Sequence, residues 1–159
     1  MPAIIKNQAI VESDYQWVDG EIDLSTNNLL LPLTTYIAHQ DKLSARKDVG
    51  IWLEAGENIE DAEAFVSKLP IVALNFPAFG DGRAYSSANI LRRKFGYQGE
   101  LRAIGDVRRD QLEQMVRCGF DSFQMADGQN LEKSLAGLNS FTYNYQGSID
   151  RPEPLFQNR

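Results

Sequence analysis

"IVALNFPAFGDGRAYSSANILRRKFGYQGELRAIGD", residues 71–106, contains one complete strand–helix–strand unit. Ile71–Phe76 is a short apolar run closed by Pro77, which reads as a buried strand. Ala84, Ala88, Leu91 and Phe95 then recur on one stripe of a helix, and Glu100–Asp106 returns to a short, mostly apolar run. Two strands joined by a helix lie parallel, because a parallel pair needs a crossover and a right-handed one is strongly favoured.

The same rhythm extends on both sides. "VGIWLEA" from Val49 reads as a strand, and "NIEDAEAFVSKLP" as a helix with Ile59, Ala62, Phe65, Val66 and Leu69 on one face. "RRDQLEQMVRCG" aligns Leu112, Met115 and Val116 on a helical face, and "FDSFQM" reads as the next strand. A last helix over "NLEKSLAGL" and a strand-like "FTYNY" follow. The expected fold is therefore α/β, a parallel sheet of about four β-α units. Either an open three-layer sheet or a half-barrel satisfies this order.

Upstream of residue 48 the pattern differs. "AIVE" and "YQWV" are strand-like, and "STNNLLLPLTTYIAHQDKLSAR" places Leu33, Tyr36, Ile37 and Leu43 at helical spacing after Pro32. Residues 1–146 are read as one domain, with 1–47 an N-terminal strand/helix extension and 48–146 the repeat core. The polar, proline-containing 147–159 is read as a flexible tail. A sheet of this kind needs covered edges, so a homodimer, or coverage by the extension, is expected.

Composition limits the chemistry. The chain has 159 residues, 43% of them hydrophobic, and a net charge of -6, so it can bury a core but lacks the basic surface of a nucleic-acid binder. Cys118 and His39 are the only residues of their kinds, which excludes an internal disulfide, a four-thiolate cluster or a histidine-rich metal site. There is no Walker signature, no GxGxxG and no flavin or nicotinamide fingerprint, and the expectation is a chain with no cofactor and no metal of its own. "MPAIIKNQAIVESD" lacks the basic start and apolar core of a signal peptide, and no stretch spans a bilayer, so a soluble cytoplasmic protein with no membrane partner is expected.

In α/β folds ligands gather where strands end and helices begin. Those positions are Glu54, Asn75, the loop from Asp81 to Ser86, Asp106, and Met125 to Asp127. Gly80 and Gly82 free the loop backbone, Ser86 or Ser87 is placed to cap the following helix, and Arg83 with Tyr85 and Ser86 forms a reasonable anion cradle. The structural alternative is that Arg83 pairs with Asp81 while Tyr85 packs beneath the loop. Arg102 sits inside a central strand and must be paired there, with Asp106, Glu54 and Asp121 as candidates, or must reach a ligand. Arg92 and Arg93, two turns into the helix, are assigned to a partner surface. Cys118, at a helix end before Gly119, reads as a structural thiol, and His39 as a cap or packing residue.

The block "FPAFGDGRAYSSANILRRKFGYQGELRAIGDVRRDQLEQMVRCGFDSF", with "LPLTTYIAH" and "GIWLEAGE" upstream, resembles an uncharacterised bacterial family commonly encoded beside the hemoprotein subunit of assimilatory sulfite reductase. The resemblance covers Leu31 to Phe123 most clearly, through "DGRAYS", "GELRAIGDV" and "RCGFD". It implies a role in sulfur assimilation, with members labelled oxidoreductases, and supplies no catalytic residues. Two functions of different class follow. One is an accessory protein of sulfite reduction that binds the reductase hemoprotein or a small oxyanion. The other is an oxidoreductase subunit that borrows its cofactor from a partner.

Overall fold

The computed structural model describes residues 3–7, 9–18, 23, 25–77 and 82–142. Asp81, residues 143–145 of the strand-like "FTYNY" and the tail from residue 147 lie outside them. The strands are β1 (Ala3–Lys6), β2 (Ala9–Glu12), β3 (Gln16–Trp17), β4 (Leu29–Pro32), β5 (Val49–Leu53), β6 (Ile71–Phe76), β7 (Glu100–Gly105) and β8 (Ser122–Phe123). The helices are α1 (Leu33–Ala38), α2 (Gln40–Leu43), α3 (Arg83–Asn89), α4 (Leu112–Arg117) and α5 (Leu131–Thr142). Among the described residues no helix is long and apolar enough to cross a membrane.

All eight strands form one sheet in the order β2-β1-β8-β7-β6-β5-β4-β3. From β3 to β8 every neighbouring pair is parallel, while β1 runs antiparallel to both β8 and β2. The sheet is thus mixed, which corrects the expectation of a purely parallel sheet of four units. The added strands come from the N-terminal extension. β1 and β2 are a hairpin with Lys6 opposite Ala9 and Asn7 at φ 51°, and they lie along β8. β3 and β4 extend the other side beyond β5.

Connectivity dictates that the sheet curls. At about 4.8 Å per strand, seven spacings would part the two edges of a flat sheet by about 34 Å. Glu12 closes β2 at one edge and Gln16 opens β3 at the other. Four residues of extended chain reach only about 14 Å, so at that end the edges turn toward each other and the sheet is a half-barrel.

Each strand divides its side chains between the two faces of the curl. Val49, Ile51 and Leu53 of β5, Val72, Leu74 and Phe76 of β6, and Leu101 and Ala103 of β7 join the helices in the main core. Leu30, Trp52, Ile71, Ala73 and Ile104 fill the inner face, with Tyr15 packed on them. Burial on both sides explains the unbroken apolar strings of β5 and β6. Asp48, just ahead of β5, staples its start: the carboxylate accepts the Asn28 N–H at 2.9 Å and two Arg46 contacts, also at 2.9 Å. The Arg46 hydrogen bonds, followed by the Asn28 N–H, hold the Asp48 carboxyl at about 2.

Three local expectations change. Residues 58–69 bury the face expected of a helix, but the backbone forms two 3-10 turns, Ile59–Ala62 and Val66–Lys68. Pro70 forces Leu69 out of the helical region, to ψ 139°, and shortens the segment. The early helix is split at His39, whose backbone N–H donates to the Thr35 and Tyr36 carbonyls. Ile90–Lys94 continues α3 as a π-helical turn, in which the Phe95 N–H donates to the Ile90 carbonyl at 3.0 Å.

Candidate functional site

The carboxyl ends of the parallel strands form a polar rim. Glu54, directly after β5, accepts at Oε1 a hydrogen bond of 3.0 Å from the Asn75 side-chain amide near the end of β6, and the Glu57 carboxylate accepts the Glu54 N–H at 2.8 Å. After β7 the Asp106 N–H donates to the Phe76 carbonyl at 2.7 Å, and the Asp106 carboxylate accepts Arg108 Nε at 2.9 Å. The rim is thus tied across β5, β6 and β7. Its residues sit there because each apolar strand ends in a polar one.

Arg83 is exposed and opens α3, which follows β6. A methyl group placed on Gly56, in the segment after β5, would lie 3.3 Å from an Arg83 guanidinium nitrogen. The guanidinium therefore reaches from the β6 loop to the β5 loop. Tyr85 is half-buried with its ring edge-on to Phe76, centroids 5.1 Å apart, and burial pushes its phenol above the ordinary value. Ser86 and Ser87 do not cap the helix. It begins at Arg83 with Gly82 ahead of it, so both serines lie inside its first turns.

Arg102 is 3% exposed and lies in the concave interior. Its partners are none of the carboxylates named from the sequence. It donates to Glu100 at 2.7 and 3.1 Å, to Ser122 Oγ at 3.1 Å and to Ser13 Oγ at 2.8 Å. Glu100 also pairs with Lys6 at 2.9 Å. Burial pushes the Glu100 carboxyl up, but Arg102 and Lys6 outweigh it and hold the group below its usual range. The network lies toward the amino ends of the strands, away from the rim. Its Ser13 link fastens the segment joining β2 to β3 across the concave face, and the Trp52 Nε1 bond to the Val18 carbonyl at 2.9 Å holds the chain just after β3.

Arg92 also differs from its assignment to a partner surface. The π turn directs it inward, where it donates to the carbonyls of Gly119, Tyr97 and Gly99 at 2.8–3.0 Å and approaches Asp121 at 3.6 Å. Arg93 beside it is exposed. Tyr97 is buried under the Arg92 guanidinium, donates to the Leu69 carbonyl at 3.0 Å, and is pushed well above the usual phenol range by burial.

Cys118 caps the end of α4, and its N–H donates to the Gln114 and Met115 carbonyls. The thiol is half-buried, and burial raises its pKa against the opposing pull of Arg117 and Arg93. Alkylation by iodoacetamide is therefore expected to be about tenfold or more slower in the native protein than in urea. A mass-spectrometric time course checks this, and equal rates would show an accessible, activated thiol.

One feature of the rim is not legible in the sequence. Between the 3-10 turn after β7 (Arg109–Gln111) and the start of α5 lies a cavity of about 380 Å³, lined by Arg108, Arg109, Asp110, Gly128, Gln129, Asn130, Lys133 and Ser134. The "RRD" of residues 108–110, shortly after β7, signals its first wall. Lys133 comes from a separate element, and only the packing of α5 against α4 and the preceding turn brings it there. No curated protein and no solved structure matches the chain. A family model described as a bacterial protein of unknown function (DUF934) matches residues 50–156, more than half of the chain, from β5 through the rim, and the chain therefore belongs to that family.

Proposed function

We propose that this chain is an accessory protein of assimilatory sulfite reduction, binding a small oxyanion of the sulfite or sulfate class at its carboxyl-end rim and docking on the reductase hemoprotein. The observation that carries the reading is the position of Arg83, which opens α3 after β6 with its guanidinium at the loop following β5. A guanidinium at the carboxyl end of parallel strands suits an oxyanion, since its planar donors match two oxygens at once. Arg93, exposed on the π turn, belongs to the reductase surface, and a homodimer through the outer edge of β2, where Ile10 and Val11 are exposed, completes the assembly.

A lost charge-assisted contact is worth about 1.5–3 kcal/mol, so Arg83→Ala is expected to weaken sulfite and sulfate binding by about tenfold or more. Calorimetric titration of both anions into wild type and variant, alongside thermal melts, checks this. A lower melting temperature with unchanged binding would make Arg83 purely structural, and no binding by wild type at millimolar anion would remove the site. Sedimentation of the protein alone and with the reductase tests the two assemblies.

A further inference from the structure

We propose that the cavity between the turn after β7 and the start of α5 is a second ligand site, which takes the phosphate group of a small, polar phosphate monoester of sugar-phosphate type. Among the described residues three cations, Arg108, Arg109 and Lys133, line it against one carboxylate, Asp110. The chain as a whole has 22 acidic and 16 basic residues, so such a concentration of positive charge runs against its composition. Several cations elsewhere are held in ion pairs: Lys6 and Arg102 with Glu100, Arg46 with Asp48, Arg92 with Asp121, and Lys94 with Glu60. Arg108 is oriented by Asp106, whereas Arg109 and Lys133 form no ion pair among the described residues. Adjacent like charges repel, and a bound dianion relieves that repulsion while accepting from both a guanidinium fork and an ammonium.

Volume and lining narrow the class. About 380 Å³ falls within the range of small-molecule sites, and a bare oxyanion would leave most of it to water. The remaining wall is polar, with the amides of Gln129 and Asn130 and the Ser134 hydroxyl, and among the described residues no aromatic ring lines it. An organic portion rich in hydroxyls fits such a wall better than an aromatic base. Its place, after the last two parallel strands at their carboxyl ends, is where β-α folds put ligands. This inference is independent of the oxyanion reading at Arg83, which uses the loops after β5 and β6.

The test is nuclear magnetic resonance titration of the full chain with ribose 5-phosphate, inorganic phosphate and ribose. Saturable shifts at Arg109 and Gly128–Ser134 are expected with ribose 5-phosphate, weaker ones with phosphate and none with ribose. Both cations are exposed, so Arg109→Ala/Lys133→Ala should retain its dispersed spectrum and bind about tenfold more weakly for each cation removed. Lys133→Gln alone carries the test if the double variant misfolds. Arg83→Ala should leave these shifts intact, which separates failure of this site from failure of the oxyanion site. Absence of saturable shifts at millimolar ligand, or shifts that survive loss of both cations, would overturn the assignment.

Discussion

Replacing Arg102 with alanine is expected to lower the free energy of unfolding by about 3–5 kcal/mol, because it leaves a buried carboxylate without its main partner. The Glu100 side chain is 9% exposed and takes two hydrogen bonds from Arg102. Removing the guanidinium also takes a donor from the hydroxyls of Ser122 and Ser13, the second of which holds the segment joining β2 to β3. Lys6 remains, but its side chain is 41% exposed and its attraction is correspondingly screened. Urea denaturation at neutral pH measures the loss. The double variant Glu100→Leu/Arg102→Met should recover most of it, since a buried pair is worth little more than apolar residues of the same shape.

The pH dependence gives this expectation a sign. In the wild type Glu100 titrates below the ordinary glutamate value of 4.5, so its contribution is complete above that value and is lost as the pH falls through the folded-state pKa. In Arg102→Ala the largest remaining influence is burial, which favours the protonated carboxyl, and stability then rises as the pH drops. The gap between the two proteins should therefore begin to narrow above pH 4.5, as the variant's carboxyl takes up its proton, and narrow further below it as the wild type loses its contribution. A loss under about 1 kcal/mol that does not change with pH would mean the network is solvated.

Partial legibility of the sequence has physical causes that particular residues display. β5, β6 and β7 could be read because both faces are covered, which makes their strings mostly apolar, Arg102 in β7 being the buried exception. β2 carries a strand-like string but is exposed along its length, and β1 and β4 are four residues each, too short for periodicity to register. The segment 58–69 has a helix's burial without a helix's backbone, since Pro70 acts on conformation and leaves the spacing of apolar residues untouched. Glu54, Asn75 and Asp106 were recognisable as strand ends, and the rim gathers them. The true partner of Arg102 was within reach too, because residues two apart on a strand share a face and Glu100 precedes it by two. Arg109 and Lys133 had no such signal: their approach depends on where α5 packs.

Gly105→Ala is expected to cost about 2–5 kcal/mol, whereas Gly128→Ala should cost only about 1–2 kcal/mol. Both glycines have positive φ, 90° and 85°, so each alanine carries similar backbone strain. They differ in surroundings. A Cβ at Gly128 would meet nothing within 4 Å, while one at Gly105 would overlap Asn75 Oδ1 and the Phe76 carbonyl oxygen. That carbonyl accepts the Asp106 N–H at 2.7 Å, and Asn75 donates to Glu54, so the overlap falls on the bonds that tie the rim together. Prying β6 from β7 at Phe76 and Gly105, which are paired in register, would release Asn75 from Glu54 and move the loop that begins α3. Gly105→Ala should thus weaken sulfite binding as well as stability, while Gly128→Ala leaves sulfite binding unchanged. Equal denaturation midpoints for the two variants would show that the β6 backbone yields to a methyl group, and that the close approach at Gly105 does not hold the rim.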